Sequence, residues 1–101
     1  MSAGHVTSVN QSINIMATYQ ILYWKDIPAQ VKVFRGRRPV SRLMPDWFQQ
    51  EIDRVAMKEG LAGTDAYLDQ WQWTEKRERD GEVEEVVVAL LRELEAEYGE
   101  R

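Results

Sequence analysis

Cysteine is absent from the chain, which excludes disulfides, thiolate zinc sites, cysteine-ligated iron–sulfur clusters and a cysteine nucleophile together. Histidine occurs once, as His5, in a stretch of small and polar residues. No glycine-rich cofactor loop, metal-ligand cluster or nucleophile-and-base set can be read anywhere else. Carboxylate pairs at helical spacing, Asp65 with Asp69 and Glu82 with Glu85, have no partner base beside them. Acid–base or metal catalysis needs a convergent set of groups in a cleft. The expectation is therefore a non-enzymatic protein with no catalytic residue, cofactor or metal.

What is present is ordinary for a globular protein. Of the 101 residues, 44% are hydrophobic and 30% charged, outside the disordered and membrane ranges. A chain of this length buries roughly 60% of its unfolded surface, enough for one core and too little for two. With no crosslink to help, stability rests on packing, and a cytoplasmic location is the simplest expectation. The net charge of −4 argues mildly against nonspecific nucleic-acid binding. That average hides a division: the charges from Lys32 to Arg42 are basic, and acids predominate from Glu75 onward.

Residues Met1 to Ile15 show no hydrophobic period and lack the basic n-region and apolar core of a signal peptide. They read as a disordered lead over 1–15 or the product of an upstream start, with a single domain over 16–101. From Ala17 to Lys25, alternation sets Tyr19, Ile21 and Tyr23 on one face and Gln20, Leu22 and Trp24 on the other, the pattern of a strand. Asp26 to Ala29 is expected to turn, since Pro28 fixes its own φ and Asp26 can bond nearby amides. A second strand is expected over Gln30 to Arg35. Gly36-Arg37 suits a tight turn, and Arg38 to Leu43 reads as a third strand, placed at an edge by Pro39.

Pro45 and Asp46 suit a helix start, and Phe48, Ile52, Val55 and Ala56 form a stripe that Gly60 ends. Thr64 can cap a helical turn over 65–68. Gln70 to Arg77 alternates as a fourth strand, with Trp71 and Trp73 expected under the helices; an exposed aromatic patch is the other reading. Asp80 is the expected cap of a last helix, about Glu82 to Tyr98, along which Val83, Val87, Leu90, Leu94 and Tyr98 recur at helical spacing. The fold expected is α+β: a small antiparallel sheet in the order β-β-β-α-β-α, with two helices packed on one face.

The run Tyr19-Gln-Ile-Leu-Tyr-Trp-Lys-Asp-Ile-Pro-Ala-Gln-Val-Lys32, followed by Pro45-Asp-Trp-Phe, Ile52-Asp-Arg, Ala56-Met57 and Gly63-Thr-Asp-Ala-Tyr-Leu68, resembles the bacterial "virulence factor" domain family. Such domains occur as small stand-alone proteins, and they are similar to part of conserved virulence factor C. The resemblance runs from Met16 to about Trp73, with Trp-Lys-Asp-Ile-Pro-Ala-Gln as its most specific piece. It implies a fold shared with other domains and supplies no reaction.

Two surfaces stand out. Trp24, Asp26, Pro28 and Gln30 surround the first hairpin turn, where a loop held by a rigid sheet suits recognition of a partner protein; the alternative is that they only build the turn and the core. Lys32, Arg35, Arg37, Arg38 and Arg42, with Trp24 and Phe34 nearby, form a basic hairpin suited to weak single-strand nucleic-acid binding. These charges can instead be a solvated edge, or pair with the acidic last helix. A protein-interaction or adaptor domain is the preferred reading and nucleic acid the alternative. No membrane association is expected, and the sequence leaves the oligomeric state open.

Overall fold

The computed structural model describes residues 16–99, so the expected disordered lead, with His5, lies outside the described residues. The elements are β1 (Met16–Trp24), β2 (Ile27–Arg35), β3 (Arg38–Leu43), α1 (Asp46–Lys58), α2 (Asp65–Asp69), β4 (Trp71–Trp73), β5 (Arg77–Asp80) and α3 (Val83–Gly99). All strand pairings are antiparallel. β1 is the middle of the sheet, with β2 and then β3 on one side and both β4 and β5 on the other. The α+β architecture and the element order expected from sequence are those observed, with β3 at an edge.

Register fixes which side chains share a face. Tyr19 opposes Val33 and Ile21 opposes Val31, and these pair onward to Val40 and Arg42. On this face Ala17, Ile21, Val31 and Val33 are buried in one core with Val86, Val87, Leu90 and Leu94 of α3. Each valine, leucine or isoleucine among them contributes about 1.5–3 kcal/mol on full burial. Arg42 from β3 and Arg79 from β5 both reach acids on α3, Glu84 at 3.1 Å and Glu93 at 2.8 Å. The helix is thus tied to the sheet from both flanks.

The apolar stripe of α1 joins the same core through Phe48, Ile52 and Ala56. The Phe48 ring lies 5.4 Å from that of Tyr98, which brings the start of α1 against the end of α3. After Lys58 the helix closes with the hydrogen-bond pair of a Schellman motif: Leu61 N–H donates to Ala56 C=O at 2.8 Å and Gly60 N–H to Met57 C=O at 3.1 Å. Gly60 takes φ +72, the left-handed turn that this stop requires. Thr64 caps α2 as expected, its Oγ1 accepting from Tyr67 N–H at 3.3 Å.

Three local expectations are corrected. The first turn is Lys25-Asp26 rather than Asp26 to Ala29, because Ile27 already pairs with Trp24 and Pro28 with Tyr23. The irregularity that Pro28 demands is absorbed inside β2: register slips by one residue at Ala29, a bulge of the kind where a residue lacking N–H is tolerated. Asp80 does not cap the last helix; it pairs with Met16, and Glu85 Oε1 instead accepts from Glu82 N–H at 3.1 Å.

The expected fourth strand is broken in two. Between Trp73 and Arg77 lie three residues, facing only Gln20 and Ile21 of β1. Thr74 repairs the interruption: its N–H donates to Ile21 C=O at 2.9 Å, its Oγ1 accepts from Ile21 N–H at 3.0 Å, and its C=O accepts from Gln20 Nε2 at 2.9 Å. A side-chain oxygen stands where a backbone carbonyl would be in an unbroken ladder.

Candidate functional site

The second face of the sheet carries Thr18, Gln20 and Leu22 of β1, opposed by Phe34, Lys32 and Gln30 of β2 and then by Pro39, Ser41 and Leu43 of β3. Trp73 joins it from β4, paired with Leu22. None of these side chains is buried; Leu43 is 73% exposed and Trp73 38%. The Lys32 ammonium sits 4.4 Å from the Trp73 ring centre and 5.9 Å from that of Phe34, and Lys76 lies 4.9 Å from Phe34. Each exposed cation–ring contact is worth about 0.5–1 kcal/mol. The result is a polar middle row, Gln20, Lys32 and Ser41, between two mainly apolar ones.

At its hairpin end this same face is closed. Trp24 pairs with Ile27 and Trp71, yet it is 0% exposed and Ile27 is buried with it. Trp24 Nε1 donates to Tyr67 C=O at 3.0 Å and the two rings are 5.5 Å apart, with Trp71 edge-on to Tyr67 at 6.1 Å. Lys25 forms an ion pair with Glu59 at the end of α1, although Lys25 itself takes φ +56. An L-residue holds that conformation at a cost of about 1–2 kcal/mol. The core therefore continues round the end of the sheet, and the open part of the face begins at the Leu22, Gln30, Leu43 and Trp73 row.

These positions redistribute the two surfaces expected from sequence. Trp24 and Pro28 are buried, Asp26 is exposed in the turn, and Gln30 is half-buried on the open face. The basic group is divided between faces. Lys32 is on the open one, whereas Arg35 pairs with Glu82 just before α3 and Arg42 with Glu84 in its first turn. Arg37 and Arg38 are exposed at the β2–β3 turn. Alternation puts Lys32 on the face opposite Arg35, Arg38 and Arg42, so this basic run does not make one continuous patch.

Trp73 is not under the helices. It pairs with Leu22 and so shares the face of Gln20 and Leu22, opposite α3, while Trp71 is half-buried against the closed end. Lys76 and Leu43 escaped sequence reasoning, and the exposed aromatic at Trp73 was its second reading. The one available signal was the two-residue period linking Trp71 to Trp73, which fixes that they share a face but not which face.

The sequence model of the family described as "Virulence factor" matches residues 22–101. The chain belongs to the virulence factor family. The matched span takes in α3 as well as the hairpin and α1, extending past the Met16 to Trp73 stretch that carries the resemblance, and it begins part-way along β1. No curated protein and no solved structure matches the chain. Among the described residues of this virulence factor domain, no helix is long and apolar enough to cross a membrane, and no group of three or more His, Asp or Glu side chains is placed to hold a metal.

Proposed function

We propose that this virulence factor domain is a non-enzymatic protein-interaction module that engages its partner chain through the open face of its sheet. The observation that carries the reading is Trp73, which is 38% exposed on a face with no described element packed over its middle. Aromatic side chains are enriched at interfaces because they bring large contact area at little entropic cost. Phe34, Leu22 and Leu43 extend that area, and Gln20, Gln30 and Ser41 supply hydrogen-bonding groups along it. A cysteine-free domain of this kind suits a reducing compartment, and we place its action in the cytoplasm.

The test is capture of native-host proteins on the full chain, compared with a Trp73→Ala/Leu43→Ser double variant and a Val88→Ala control on the outer side of α3. Circular dichroism first establishes that all three are folded. The reading expects a bound set lost with the double variant and kept with the control. A set unchanged by the double variant would remove it.

A second reading, weak single-strand nucleic-acid binding, is favoured by the placement of Lys32 and Lys76 over aromatic rings on this face. It expects anisotropy-detected binding of a labelled oligonucleotide that weakens steeply with salt and disappears in Lys32→Ala/Lys76→Ala. No binding at low salt disposes of it.

A further inference from the structure

A second site lies at the other side of the hairpin end, on the face that α3 covers. Tyr23, Asp26 and Pro28 from the β1–β2 hairpin and Leu94, Glu97 and Tyr98 from the end of α3 line a cleft of about 340 Å³. That is the small end of the range for ligand pockets, about 300–1,000 Å³. It offers room for one long side chain more readily than for a cofactor. Its walls are apolar and aromatic, and its acids are Asp26 and Glu97.

The acidic groups outweigh the one cation acting on the cleft. The C-terminal end of a helix carries roughly half a negative charge from its unsatisfied carbonyls, which cations ordinarily offset. The last turn of α3 has no basic residue, and Glu97 adds a full negative charge at that end. The cation facing the cleft from β5 is Arg77. Burial and then the Glu97 carboxylate push the Tyr23 phenol up, and Arg77 opposes them by less. Lys25, on the adjoining turn, is committed to Glu59. Tyr98 is held in place, its ring against Phe48 and its hydroxyl bonded to the Glu51 carboxylate.

We infer that this cleft receives a basic side chain of a partner protein, its aliphatic stem between Leu94, Pro28 and the tyrosine rings and its cationic head at Glu97 and the end of α3. An arginine fits best: its planar head stacks on aromatic faces and meets a carboxylate with two parallel N–H groups. Asp26, already engaged within the chain, contributes negative potential at the rim. The open sheet face and this cleft lie on opposite faces of the sheet. The cleft shares with the proposed function only the idea that the ligand is a protein.

The experiment is an NMR titration of the full chain with N-acetyl-arginine amide, with the neutral citrulline analogue as control. Saturable shifts at Tyr23, Leu94 and Glu97 with the arginine probe, absent with citrulline, are expected. Glu97→Gln should weaken the response about fivefold, the order of one surface charge pair. Equal responses to both probes, or a titration unaltered by Glu97→Gln, would overturn the inference. So would a response appearing only in Arg101→Ala, since the chain's own cation would then be the occupant. Trp73→Ala should leave the titration unchanged, so this site and the open face fail or stand separately.

Discussion

Trp24 and Trp73 share one side of one sheet, and both pair across β1 or β4 with another apolar residue, yet one is sealed and the other meets solvent. The difference is made by the segment between α1 and β4. The Schellman stop at Gly60 and the capped turn of α2 bring Tyr67 onto the Trp24 ring and its indole N–H, while nothing described packs over the row from Leu22 to Trp73. A residue's pattern along its strand thus sets its face, and the loop returning over that face sets whether it is core.

The largest expected effect comes from Trp24→Ala, which empties the closed end at about 3–5 kcal/mol. For a domain of this size each kcal/mol lowers Tm by about 4–8 °C. The variant should therefore melt far below the native protein, or fail to fold. A thermal melt within a few degrees of native would break the comparison at its stronger side.

Thr74→Val is expected to cost about 1–3 kcal/mol, because the Ile21 N–H keeps its position between strands and loses its acceptor. Denaturant titration reads the loss, and faster amide exchange at Ile21 than at its neighbours localises it. Unchanged exchange there would show that the side-chain oxygen is not what closes the gap.

Trp73→Ala should cost under about 1 kcal/mol, as expected for an exposed aromatic with a single cation above it. Acrylamide quenching sharpens the contrast: removing Trp73 should delete an accessible fluorophore, whereas the emission of Trp24 stays shielded. If Trp73→Ala instead destabilises as much as Trp24→Ala, the face is not open.

The smallest effect belongs to the ion pair between Arg79 and Glu93. Two hydrogen bonds from the guanidinium, at 3.0 and 2.8 Å, hold the Glu93 carboxyl below its ordinary range. A carboxylate depressed in the folded state contributes stability that is complete above its unfolded range and is lost as pH falls through the folded value. Glu93 is largely in water and Arg79 is half-buried, so the pair is worth about 0.2–1 kcal/mol. Arg79→Met should be slightly less stable at about pH 7 and equal to wild type once the carboxylates are protonated, near pH 2. A gap that persists in acid would assign the loss to packing of the arginine stem.

Much of the fold was legible because periodicity is a local property. Val83 to Tyr98 and Phe48 to Ala56 announce their buried sides, and Pro39 announces an edge. The first turn was misplaced by its proline: Pro28 punctuates a sequence strongly, but a bulge at Ala29 lets it sit within a strand. The break at Thr74 left no mark, since a threonine in a strand-like run gives no hint that its hydroxyl will replace a carbonyl. The candidate surfaces were harder still. Whether Trp24 or Trp73 reaches solvent depends on Tyr67, more than forty positions from Trp24, and no pattern within a strand encodes so distant a contact.

The kink at Thr74 has a bearing on how the domain behaves in a crowd. A sheet grows by adding a further strand alongside an outer one, and growth of that kind needs several consecutive backbone groups in even spacing. On the β4 and β5 side the run is cut after three residues and shifted by one before it resumes. On the β3 side Pro39 withholds a donor and the exposed Arg38 adds repulsion between like copies. Both flanks resist stacking into fibres, so the domain can keep an exposed tryptophan on its outer strand β4 without inviting copies of itself to zip on at the sides.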